Sequence, residues 1–152
     1  MSASALRLVC FQLLDQEFAL PITNVSETIA IQPITRLFLT PSCLAGVFGL
    51  RGEIVPAIDL APLFGLARTT VRDGSRIIVL KHELGPAGII VDRLLEQRRL
   101  DQELEPAPRN LQPSIAALLL GVVATDTGVV RVLDATSILT AEPLLEFRAA
   151  AS

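Results

Sequence analysis

The sequence predicts a mainly β protein built from two similar halves, with helix confined to short segments, and three observations carry that expectation. Short runs of β-branched and aliphatic residues fill most of the chain. They are broken by the turn signals Asp15-Gln16-Glu17, Glu83-Leu84-Gly85-Pro86 and Thr125-Asp126-Thr127-Gly128, the pattern of short antiparallel strands in a small barrel or sandwich. A weak internal repeat runs through the chain in consistent order. Hydrophobic residues make up 51% and charged residues 19%, which favours a folded chain over extended disorder.

The repeat has two offsets. Shifted by 69 positions, Phe18-Ala19-Leu20-Pro21-Ile22-Thr23-Asn24-Val25-Ser26-Glu27 overlies Ala87-Gly88-Ile89-Ile90-Val91-Asp92-Arg93-Leu94-Leu95-Glu96, and Val9-Cys10-Phe11 overlies Ile78-Val79-Leu80. Shifted by 75, Gly46-Val47 overlies Gly121-Val122, Ile54-Val55 overlies Val129-Val130, and Ile58-Asp59 overlies Leu133-Asp134. Each half therefore ends in an Asp-capped helical segment.

Taken in chain order, the first turn joins 6–13 to 18–25 as a hairpin. Arg51, bracketed by Gly49 and Gly52, interrupts an apolar stretch and marks a tight strand-to-strand corner, because glycine permits positive φ and close backbone approach. A charge there calls for a partner, and Glu27, which closes the strand after the first hairpin, can supply it. Residues 53–60 read as a strand in which Pro56 demands an edge or a bulge. Asp59 then caps a single helical turn closed by Gly65. Residues 67–74 form a polar loop, 76–80 and 87–94 a second hairpin, and 103–113, with three prolines, an extended linker. Asp134 caps the second helical segment, and 144–151 forms a short terminal helix or a frayed tail.

A length of 152 residues fits one ordinary domain or two very small ones, and the apolar content suggests more apolar surface than one small domain hides. The net charge is −3 and no Lys/Arg cluster occurs, so neither nucleic acid nor an anionic membrane is expected as a partner. The longest apolar run, 115–124, is half of the roughly 20 residues a spanning helix needs, so no membrane insertion is expected. Two cysteines in apolar sequence and no secretory start fit a reducing cytoplasm.

No residue set suggests catalysis, a metal or a cofactor. Asp59 and Asp134 read as helix caps at matching repeat positions rather than as paired catalytic carboxylates. His82, the one histidine, lies between Lys81 and Glu83 in a turn and reads as a solvated loop residue. One histidine and two separated cysteines do not assemble a zinc site. The glycines at 46, 49 and 52 match no phosphate-binding loop, and no serine has a nucleophile-elbow context. Arg51 has two readings, a structural ion pair that fixes a corner or a rim contact for a partner protein. The stripes Ile22, Val25, Ile29 and Ile89, Val91, Leu94 read as core, with some members open to lining a groove between the halves.

The stretch from Gly46 to Leu66, with Gly-Val, Leu-Arg-Gly, a strand carrying Pro, Ile-Asp-Leu and Phe-Gly in order, resembles the CheW-like family of bacterial chemotaxis coupling proteins. Phe11-Gln12-Leu13 through Asn24-Val25-Ser26-Glu27 resembles the family's opening hairpin, and Ala87 to Leu94 its Gly-aliphatic-aliphatic-Val-Asp segment. The resemblance covers about residues 6–140. It implies two SH3-like five-stranded β-barrel subdomains around a shared hydrophobic core in a single CheW-like domain, 1–152. The first barrel would take roughly 18–65 plus a terminal strand and the second roughly 76–140, with strand exchange between them left open.

The resemblance also implies a non-enzymatic cytoplasmic adaptor, needing no cofactor, that links the cytoplasmic domain of a methyl-accepting chemoreceptor to the regulatory domain of a CheA-type histidine kinase. Other CheW-like proteins are further partners. Carried over position by position, Val25, Glu27, Gly46, Arg51, Gly52, Ala87, Gly88 and Leu94 would contact partners or shape the surface. Gly49 departs from the family's frequent Asn, the second half has no counterpart of Arg51, and the chain lacks Tyr and Trp. An alternative is therefore an accessory protein that binds receptors or other coupling proteins without engaging the kinase. A proline-peptide module, which needs an aromatic groove, is disfavoured.

Overall fold

The computed structural model describes residues 6–126 and 128–144, and the expected terminal helix or tail, beyond Leu144, lies outside them. Eleven strands and three short helices are described: β1 (Leu6–Leu13), β2 (Gln16–Pro21), β3 (Val25–Ala30), β4 (Leu44–Leu50), β5 (Glu53–Ile58), α1 (Leu60–Leu63), β6 (Arg76–Leu80), β7 (Ala87–Val91), β8 (Arg93–Leu94), β9 (Arg98–Leu100), α2 (Pro113–Ala116), β10 (Leu119–Thr125), β11 (Gly128–Leu133) and α3 (Ala135–Leu139). A single 3-10 turn, Ile22–Asn24, separates β2 from β3. One sheet runs β3-β6-β7-β5-β4. The other runs β10-β11-β2-β1-β8, with β9 also on β1.

The sheets divide the chain otherwise than the expected 18–65 and 76–140 grouping. The first hairpin joins the C-terminal strands, and the second joins β3, β4 and β5. The exchange is reciprocal, since β3, which follows the first hairpin, pairs with β6, while β8, which follows the second, pairs with β1. The two offsets of the repeat reappear as pairing register. Ala57 lies opposite Gly88 in the parallel pair β5–β7, and Val132 opposite Ala19 in the parallel pair β11–β2. Residues 57 and 132 differ by 75, and residues 19 and 88 by 69.

Both faces of the hairpin strands are buried, which explains their continuous apolar runs. Along β6, Ile78 and Leu80 face a core shared by the two halves, while Ile77 and Val79 face one private to their own sheet. On β1, Phe11 and Leu13 face the shared core, and Leu8 and Cys10 a second private one. Much of the apolar surplus thus fills three cores. Ile89 and Val91, which the sequence left open to a groove, are fully buried. Phe11, Phe18 and Phe64 stack through the shared centre, with ring centroids 6.1 and 5.5 Å apart.

Gly46 and Gly121 hold equivalent bulges in β4 and β10. A Cβ at Gly46 would lie 2.2 Å from the Thr35 carbonyl oxygen, and one at Gly121 2.6 Å from that of Glu105. Each bulge lets a preceding segment bridge to the strand, Thr35 to Val47 and Glu105 to Val122. The proline-rich linker is thereby held against the sheet edge. The first hairpin turns on Leu14 and Asp15, one residue before the expected position, both with positive φ. Leu14 tolerates this because its N–H donates to Asp92 Oδ2 across the fold at 3.0 Å.

Candidate partner-binding site

Arg51 and Gly52 form the two-residue turn between β4 and β5, with φ of 50° and 82°. Positive φ at both central residues is what a type I′ hairpin requires, and arginine is an unfavourable occupant of the first position. Glu27 reaches the turn from β3, just beyond a register shift between Val25 and Glu27 in the pairing with β6. Such a bulge re-aims the side chains that follow it. The guanidinium and carboxylate meet side by side, Nη1 to Oε2 at 2.5 Å and Nη2 to Oε1 at 2.8 Å.

The arginine side chain is 72% exposed and the glutamate 23%, so the pair stands at the surface with the cation outermost. Hydrogen bonding from Arg51 holds the Glu27 carboxyl below its ordinary range, and the same bond raises the Arg51 guanidinium further. A fork-to-fork pair fixes the direction of the guanidinium plane while leaving its outer edge to a partner. Ser26, Leu50, Lys81 and His82 complete a recess of about 250 Å³ around the pair. The β6–β7 turn, residues 81–86, separates this recess from an apolar groove of about 330 Å³ lined by Ile54, Pro56, Leu84, Pro86 and Leu144. Ile54 is 78% exposed there.

The expected site residues fall into different places. Glu27, Arg51 and Gly52 come together at the β4–β5 turn. Val25 is half-buried against the shared core. Gly46, Ala87 and Gly88 are buried in the sheet, where a Cβ on Gly88 would lie 2.7 Å from both Ile77 Cγ2 and Phe48 Cε1. Leu94 is half-buried in the other sheet, opposite Phe11, and lines neither recess. Asp59 is buried at the N-cap of α1, its carboxylate accepting from Ala61 N–H, Thr69 N–H and Thr69 Oγ1. Asp134 caps α3, accepting from Thr136 N–H and Ser137 Oγ.

His82 departs from the solvated loop residue read in the sequence. It is half-buried, with both ring nitrogens hydrogen-bonded. Sequence reasoning also passed over Ile54, which lies on the outward face of β5, alternating with buried Val55. Phe38 and Leu39, 91% and 90% exposed, sit in the β3–β4 connection, where no strand period flags them. Among the described residues no helix is long and apolar enough to cross a membrane.

Residues 7–142 match the family model described as the CheW-like domain. The chain is similar to the chemotaxis protein CheW of Helicobacter pylori, 36% identical over 70% of this chain and 65% of that protein. It is also similar to the chemotaxis protein CheW of Treponema pallidum, 30% identical over 91% of this chain and 84% of that one. The crystal structure of the scaffolding protein TtCheW from Thermoanaerobacter tengcongensis superposes with a TM-score of 0.78 at 30% identity, covering 88% of this chain and 86% of that one.

Proposed function

The chain belongs to the CheW-like family, and we propose that it is a non-enzymatic scaffold that couples the cytoplasmic tip of a chemoreceptor to a histidine autokinase in a chemotaxis-type array. The observation that carries this reading is the Glu27–Arg51 pair, an oriented charge at an exposed corner beside an apolar groove. A receptor tip is a helical hairpin, and a helix docks by laying an apolar stripe into a groove while polar groups at the rim set its register. Ile54, Leu84 and Pro86 supply the apolar wall, and Arg51 the register. Gly46, Ala87 and Gly88 act from inside, by allowing the strands beneath that surface to approach closely. The protein works in the cytoplasm, held at membrane receptors through its partners.

The test is reconstitution. The purified chain is mixed with a receptor cytoplasmic fragment and the autokinase, and both co-sedimentation and kinase activity are followed. Ternary assembly with receptor-dependent kinase activity is expected. Binding to neither partner refutes the reading, and receptor binding without any effect on the kinase assigns the chain to an accessory role.

A further inference from the structure

We propose that His82 is a positioning residue, a latch that fixes the wall between the two recesses of one half by fastening it to a helix of the other. The inference rests on the scaffold reading for its consequence and on two hydrogen bonds for its existence. His82 Nδ1 faces the Leu84 N–H at 3.1 Å, and Nε2 faces Thr136 Oγ1 at 2.8 Å. A backbone N–H only donates, so Nδ1 is the acceptor and the ring proton sits on Nε2, from which it donates to the threonine hydroxyl. One ring therefore closes its own turn on one side and crosses to α3 on the other.

The position of the turn gives the latch its effect. Lys81 N–H donates to the Asn24 carbonyl at 2.8 Å and Gly85 N–H to that of His82 at 3.0 Å, which fixes the base and closes the turn. Lys81, His82 and Pro86 line the recess around the Glu27–Arg51 pair, and Leu84, Gly85 and Pro86 line the apolar groove. A movement of this one turn changes both. Thr136 belongs to α3, whose Ala135, Ile138 and Leu139 are packed in the shared core. The far end of the latch is thus anchored on the other half, and the charged and apolar contacts are held in one mutual geometry. Without the latch the turn keeps its backbone bonds and loses its tie to the second half.

The side-chain chemistry separates the two functions of the ring. Thr136→Val removes the hydroxyl at nearly constant shape and leaves the backbone N–H that Asp134 caps. Thr136→Ser keeps the hydroxyl. His82→Asn retains an acceptor near Nδ1 without the reach to Thr136. In the full-length chain, amide hydrogen exchange at Leu84 and Gly85 should quicken about fivefold in Thr136→Val and His82→Asn, the factor corresponding to one net hydrogen bond of ~1 kcal/mol, and return to wild type in Thr136→Ser. Exchange unchanged in Thr136→Val overturns the latch. Affinity for the receptor cytoplasmic fragment should fall about fivefold with exchange, with Tm lowered by only about 3 °C, and both should recover in Thr136→Ser. Faster exchange with unaltered affinity overturns the positioning role. If wild type binds neither receptor nor kinase, the scaffold reading and the positioning role both fail, while the exchange data still decide whether the latch exists.

Discussion

Gly88 offers the sharpest separation between shaping a surface and touching a partner. It lies in β7 opposite Ala57, fully enclosed, and a methyl there would sit 2.7 Å from Ile77 Cγ2, 2.7 Å from Phe48 Cε1 and 2.8 Å from Phe48 Cζ. Those contacts are shorter than carbon atoms accept, so Gly88→Ala forces the phenyl ring and the isoleucine apart inside a packed core. Overpacking of this kind costs about 1–3 kcal/mol. With an unfolding entropy of about 2.1 cal/mol/K per residue over 152 residues, Tm falls by about 3–9 °C.

Phe48→Leu removes the clashing end of the ring, at a cost of about 1–2 kcal/mol for the lost packing. The double variant should then lose about 1 kcal/mol less than the sum of the singles, since contacting residues couple. Differential scanning calorimetry of the four proteins measures the cycle. Well below Tm, the Gly88→Ala protein should bind the receptor fragment within twofold of wild type. Additive losses, or an unshifted Tm with lost binding, would refute the placement of Gly88 as an internal spacer.

Asp59→Ala removes the cap of α1 and strands both the N–H and the hydroxyl of Thr69, so it should destabilise by about 2 kcal/mol, read from urea unfolding. Glu27 is held below the ordinary carboxylate range by Arg51. The pair's contribution is therefore present above the unfolded pKa and is lost as pH falls through the depressed value. A carbon-13 NMR titration of the Glu27 carboxyl should show that low midpoint, moving upward in Arg51→Ala. Cys10, buried beside Glu17, has its thiol pushed up to about 11, chiefly by desolvation. It should resist alkylation at pH 8 in the folded state. Its contribution to stability, complete below the unfolded thiol pKa, should be lost as pH rises through about 11, a loss absent in Cys10→Ala.

The Arg51 corner is legible in the sequence because glycines bracket it, and a charge set among glycines within an apolar stretch belongs at a turn, where it can reach solvent or a partner. The repeat is legible as offsets, but the exchange of hairpins between sheets is not, since 69 and 75 are the same numbers whether each hairpin pairs at home or abroad. Only the register of Ala57 with Gly88 and of Val132 with Ala19 distinguishes the two. The apolar surplus reads as surface because a strand buried on both faces and one bearing a docking patch have similar compositions. The first turn falls one residue earlier than its sequence suggests because the acceptor that steadies Leu14 is Asp92, 78 positions away. His82 escapes sequence reasoning for a similar reason. Its flanking charges suggest solvent, and its partner, Thr136, is 54 positions distant.

A charge swap at the corner tests the central claim, that the Glu27–Arg51 pair is a partner contact rather than a pin. Arg51→Glu and Glu27→Arg each place like charges together, and the double swap rebuilds an opposite-charge pair with reversed polarity toward solvent. Receptor-dependent kinase activity and Tm are measured on all three variants. The double swap should regain the Tm lost by the single variants but not the activity. Recovery of activity along with Tm would make the pair a structural pin instead of a partner contact.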